Sequence, residues 1–97
     1  MLRHVVLFTW TEDTSPQTRA ATIAALGRLP AEVGGMTSFA VGPDAGIVAG
    51  NAHTALVADF PDVEAFRAYA ADPRHLAVIA EHVKPHLASR SAVQYEV

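Results

Sequence analysis

Tyr69 and His75 stand six positions apart in the stretch YAADPRHL, with Asp72-Pro73 between them. Neither residue type is what an alanine-rich helix needs: Leu or Phe would pack better, and Lys or Glu would solvate better. What the two can do is handle a proton. A neutral imidazole has an ordinary pKa of ~6.5, so His75 could act as a general base toward a carbon acid near neutral pH. Tyr69 could hold the ring's other nitrogen, or donate to a substrate oxygen that gains charge in the transition state. Base plus donor suffices for an intramolecular aldol-type ring closure with no cofactor. The competing structural roles are a His75 that caps backbone carbonyls at a helix break and a Tyr69 that closes the core.

Two more histidines, His4 and His53, fall in strand-like stretches, LRHVVLFTW and AHTALVADF. If both share the helix-facing side of a sheet, they line the same cavity as Tyr69 and His75 and could hold polar substrate atoms. Three converging histidines could also bind Zn²⁺ or iron, but no tight ligand spacing supports that, so no metal and no cofactor is assigned. His82 and His86 are four apart, yet Pro85 interrupts the helix that would align them, and they read as solvated. Gly42, Gly46 and Gly50 lie in a loop with no Lys-Ser/Thr and no following helix, so it reads as a flexible hairpin, open to use as a lid, and not a phosphate cradle. Asp59 closes a strand, where orienting a histidine is the less ordinary role, and Trp10 reads as packing. No Ser-His-Asp or Cys-His arrangement and no cofactor fingerprint is present.

The elements that must position these residues follow from periodicity. LRHVVLFTW predicts strand 1 over residues 2–10, with His4, Val6, Phe8 and Trp10 on one face and Arg3, Val5, Leu7 and Thr9 on the other. Both faces are largely apolar, so helices cover one and a partner subunit is expected on the other. Ser15 and Pro16 predict the N-cap and first residue of helix 1, whose Ile23, Leu26 and Leu29 form an apolar stripe. MTSFAV (36–41) and AHTALVADF (52–60) read as strands 2 and 3 about a long hairpin loop. Asp62 predicts the cap of a second helix, VEAFRAYAA, and Asp72-Pro73 stops it and restarts RHLAVIAEHV by the same logic. SRSAVQYEV is the last strand. The order β-α-β-β-α-β predicts a ferredoxin-like α+β fold, an antiparallel sheet with helices on one face, in a single domain over residues 1–97.

Composition narrows the partners. A chain of 97 residues with 51% hydrophobic residues carries more apolar surface than one small core usually hides, so self-association is expected. There is no cysteine for disulfides or thiolate ligands. The net charge of −3 and the absence of a Lys/Arg cluster argue against nucleic acid. No apolar run approaches the ~20 residues of a membrane span. MLRHVVLFTW lacks a small-residue cleavage site, so the default expectation is a soluble, cytoplasmic protein.

His4 after a leading LR, then HTALVADF, then AYAADPRHL with its Tyr69, Pro73 and His75, resemble the Dabb family of stress-responsive dimeric α/β-barrel domains. The likeness runs nearly the whole chain. It implies a homodimer joined through the uncovered sheet faces. The family includes plant polyketide cyclases of the olivetolic acid type, which work without metal. Their catalytic tyrosine and histidine would fall on Tyr69 and His75, and two further pocket histidines on His4 and His53. The implied activity is therefore a cofactor-independent, polyketide-type cyclase acting on a small, carbonyl-rich, largely apolar molecule. Helix 1 has no aromatic residue and many alanines, which implies a pocket wall of small side chains and a substrate unlike an alkyl-tailed polyketide. Two other functions stay open: a non-catalytic stress or assembly protein, and a cofactor-free monooxygenase of the antibiotic-biosynthesis type.

Overall fold

The computed structural model describes residues 1–97. Four strands, β1 (Leu2–Trp10), β2 (Ser38–Pro43), β3 (Thr54–Phe60) and β4 (Leu87–Glu96), form one antiparallel sheet in the order β2-β3-β1-β4. One face is covered by α1 (Pro16–Gly27), α3 (Val63–Ala71) and α4 (Pro73–Val78), with the short α2 (Leu29–Glu32) between α1 and β2. This is the ferredoxin-like arrangement. No helix is long and apolar enough to cross a membrane.

The alternation in β1 decides the layering. Leu2, His4, Val6, Phe8 and Trp10 are all buried toward the helices, while Leu7 on the opposite face is 42% exposed. Thr54, Leu56, Ala58 and Phe60 of β3 share the buried side, and Leu26, Leu29, Tyr69, Val78 and Val83 close over them from the helical layer. Trp10 is packed as expected, stacked on Phe8 at 5.3 Å, with its indole N–H donating to Thr54 Oγ1 at 3.0 Å. The other sheet face is open. Val93 and Tyr95 of β4 stand exposed there beside Leu7, around an ion pair in which Arg3 donates two hydrogen bonds to Asp59 (2.8 and 2.9 Å). Asp59 therefore braces this face together with Ser38 and touches no histidine.

Helix starts follow the capping residues. Ser15 Oγ accepts from Thr18 N–H and Asp62 from Ala65 N–H, each satisfying a donor that has no partner inside its helix. Boundaries shift slightly from the sequence expectation: β2 ends at Pro43, β3 starts at Thr54, and β4 starts at Leu87. The second helical segment does not simply run to Pro85. It widens into a π-turn at Ile79–Val83 and tightens into a 3₁₀ turn, Lys84–His86, that contains Pro85.

Candidate active site

The segment around Asp72 shows how the local sequence builds a reactive group. Pro73 disfavours helical geometry at the preceding residue, and Asp72 is extended (φ −63°, ψ 128°). In an unbroken helix Arg74 N–H would donate to the Ala70 carbonyl. Here Arg74 N–H donates to Asp72 Oδ1 at 2.8 Å instead, so the Ala70 carbonyl is released. His75 Nδ1 sits 3.2 Å from that oxygen. A carbonyl can only accept, so Nδ1 carries the hydrogen and Nε2 keeps its lone pair. The helix break thus fixes both the orientation and the tautomer of the imidazole.

His4 is set the opposite way. On β4, Gln94 lies directly across from His4, and its side-chain amide nitrogen is 2.8 Å from His4 Nδ1. An amide nitrogen only donates, so Nδ1 accepts and the hydrogen is on Nε2. The two rings are therefore complementary, with His75 presenting an acceptor and His4 a donor.

Both line one cavity of about 300 Å³ between sheet and helices. Val6, Phe8 and Leu56 form its floor, Phe66 and Tyr69 of α3 one wall, and Ile79 and Val83 of the π-turn another. From α1 only Leu26 reaches it, so that wall is small, as the alanine content implied, but the aromatic character comes from α3. Tyr69 is 3% exposed, its ring 4.3 Å from that of His75 and 5.1 Å from Phe60. Its hydroxyl makes no hydrogen bond within the chain and is not sealed from the cavity. Tyr69 therefore does not hold His75, a task taken by the Ala70 carbonyl, and its hydroxyl is available to a ligand.

Burial sets the protonation states. Removal from water pushes His4 down to about 4, with the Arg90 and His75 charges adding to it. His75 is lowered from the ordinary histidine value chiefly by burial, against the opposing pull of the Ala70 hydrogen bond and Asp72. Tyr69 is pushed up to about 12 by burial alone. At neutral pH the site holds a neutral base, a neutral imidazole donor and a protonated phenol.

His53 is not brought to this cavity. It precedes β3, one position before Thr54, and so has the opposite parity to the helix-facing row Thr54, Leu56, Ala58 and Phe60. Its Nδ1 accepts the Trp10 backbone N–H at 3.0 Å, at the irregularity in β1–β4 pairing, and its own N–H donates to the Phe8 carbonyl. It fastens the end of β1 to the hairpin. His82 faces Glu81 at 3.9 Å and does not pair with His86. No three His, Cys, Asp or Glu side chains come together in a way that could hold a metal ion. Sequence reasoning missed three participants: Gln94, the Ala70 carbonyl and Arg90. Arg90 lines the cavity from β4, opposite Phe8 in register, and only the strand parity of β4 could have indicated it. A second hollow of about 450 Å³ lies on the open face by Leu7, Ala55 and the β2–β3 hairpin. Its one acid, Asp44, is occupied by Gly46 N–H and Asn51.

The sequence profile of the stress-responsive A/B barrel domain, Dabb, matches residues 2–97. The chain belongs to the Dabb family. Among solved structures, this Dabb chain is similar to a dimeric ferredoxin-like protein of unknown function from Thermobifida fusca, at 40% identity and a TM-score of 0.90, covering 99% of this chain and 90% of that one. A Dabb family protein from Mesorhizobium loti shares the fold at 19% identity and a TM-score of 0.83, covering 99% and 95%. So does the hydroxynitrile lyase from Passiflora edulis, at 21% identity and a TM-score of 0.85, covering 99% and 92%. No protein of curated function matches this Dabb chain.

Proposed function

We propose that this Dabb protein is a homodimer whose protomers each carry out cofactor-independent proton-transfer chemistry on a carbonyl-rich small molecule, most specifically a polyketide-type aldol cyclisation. His75 Nε2 takes a proton from the methylene between two carbonyls. The resulting enolate carbon attacks a carbonyl further along the same molecule, and the new alkoxide takes up the proton held on His75 Nε2, which restores the neutral base. Tyr69 donates to the enolate oxygen and His4 Nε2–H to a second substrate oxygen, so both gain strength as negative charge develops. Loss of water from the ring then restores conjugation.

The observation that carries this reading is the opposed fixing of the two imidazoles beside an unengaged tyrosine hydroxyl, around one cavity. A histidine network serving stability alone would satisfy its polar atoms internally; here one ring nitrogen of each histidine and the phenol find no partner in the chain. Dimerisation is supported by the exposed Leu7, Val93 and Tyr95 on the open sheet face and by the dimeric state of the Thermobifida fusca relative. His53 acts in this account by holding strand ends, not substrate.

The test is turnover of linear tri- and tetraketide analogues, followed by appearance of the aromatic product, in wild type and His75→Ala. The variant should lose turnover while keeping wild-type circular dichroism. Cyclisation that persists in His75→Ala would remove His75 as the base, and cyclisation absent from wild type while His75→Ala only melts lower would replace this reading with the non-catalytic one.

A further inference from the structure

Near neutral pH two groups on the cavity wall carry positive charge, Lys84 and Arg90, beside the neutral imidazoles of His4 and His75, and none carries negative charge. In a chain with 10 acids and 7 Lys/Arg that asymmetry is informative. Arg3, Arg28 and Arg74 are each paired with a carboxylate, at Asp59, Glu32 and Asp72. Arg90 and Lys84, like Arg19 and Arg67 outside the cavity, are paired with none. Arg90 stands on the helix-facing row of the edge strand β4, opposite Phe8, with Ala92 opposite Val6 and Gln94 opposite His4. That row places an unclaimed guanidinium at one end, a small residue in the middle and the His4 anchor at the other. The two ends are ~13 Å apart along the strand backbone.

Resting on the reading that this cavity is the working site, we propose that its ligand is a carbonyl-rich organic acid whose carboxylate is bound by Arg90, with Lys84 beside it, while its reactive carbonyls face His75, Tyr69 and His4. A guanidinium presents a planar fork that matches a carboxylate with two parallel hydrogen bonds, which fixes the direction in which the molecule enters. Seating the acid has a second effect. The Arg90 charge is among the causes that hold both His75 and His4 down. An anion on Arg90 cancels that influence, leaving Asp72 as the charged group acting on the base. His75 then becomes a stronger base when the correct substrate is in place.

The experiment uses 2-naphthoate and its uncharged isostere 2-naphthamide as probes, with affinity read by calorimetry and the His4 and His75 ring protons by NMR. Wild type should bind the carboxylate about 10- to 100-fold more tightly than the amide. Arg90→Gln should erase that preference without weakening the amide, and Arg90→Lys should restore part of it. The carboxylate, not the amide, should raise the His75 titration midpoint. Equal affinity for the two probes in wild type, or equal loss of both in Arg90→Gln, overturns the proposal while leaving the cavity as the site. If neither probe shifts the His4 or His75 signals, the cavity is not a ligand site, and the proposed reaction falls with it.

Discussion

Acidification should destabilise this protein through His4, and by an amount that can be worked out. His4 is 6% exposed and is held at about 4 in the folded state, against an ordinary value near ~6.5 in the unfolded chain. Between those values the unfolded chain binds the extra proton, so stability falls as pH falls. The contribution is present above ~6.5 and is lost as pH drops toward about 4. Going from pH 7 to pH 4.5, the linkage integral gives roughly 2.4 kcal/mol, or about 2 kcal/mol allowing for water in the adjoining cavity. Carboxylates such as Asp59 and Asp72, lowered by their arginine partners, lose stability over lower pH as well, so wild type alone does not isolate the term. The comparison is with His4→Phe, in which the cavity accommodates the larger ring and Gln94, on an exposed strand, returns to water. Urea denaturation at fixed protein concentration should show wild type losing about 2 kcal/mol more than His4→Phe between pH 7 and pH 4.5. Equal losses would mean that His4 is not buried neutral, and the reasoning that assigns it a donor role would fail with it.

Tyr69→Phe removes a hydroxyl with no partner in the chain, so unfolding free energy should change by less than about 0.5 kcal/mol, while turnover falls about 100-fold or more. A large stability loss would show that the phenol has a structural partner. Asp72→Ala removes the acceptor of Arg74 N–H and lets that donor compete for the Ala70 carbonyl; His75 should lose its fixed tautomer, seen in its ring ¹⁵N shifts, and Asp72→Asn should retain it. Unchanged ¹⁵N shifts in Asp72→Ala would refute the link between the break and the base.

Much of this architecture is legible in the sequence because each signal is local. The faces of β1, the Ser15-Pro16 and Asp62 helix starts and the Asp72-Pro73 break all depend on residues within a few positions of one another. The cavity pair Tyr69 and His75, and the third member His4, follow from the same local cues once the fold places strand and helix together. What was not legible depends on register between distant segments. Gln94 meets His4 and Arg90 meets Phe8 only because β4 pairs with β1 at one particular offset, which the parity of β4 alone does not specify. His53 is turned from the cavity by alternation alone: Leu56, Ala58 and Phe60 face the helices, and His53 falls on the other parity. Its neighbour Thr54 is the first helix-facing residue of β3. The Ala70 carbonyl has no side-chain signature at all; it becomes an acceptor only when the break diverts Arg74 N–H.

The central claim is that the fold fixes two imidazoles in opposite tautomers across one cavity. Long-range ¹H–¹⁵N correlation spectra of the histidine rings at pH 7 test it directly. His75 should show its hydrogen on Nδ1 with Nε2 unprotonated, and His4 its hydrogen on Nε2 with Nδ1 unprotonated. The same tautomer for both rings, or a charged imidazolium at either position, would contradict it.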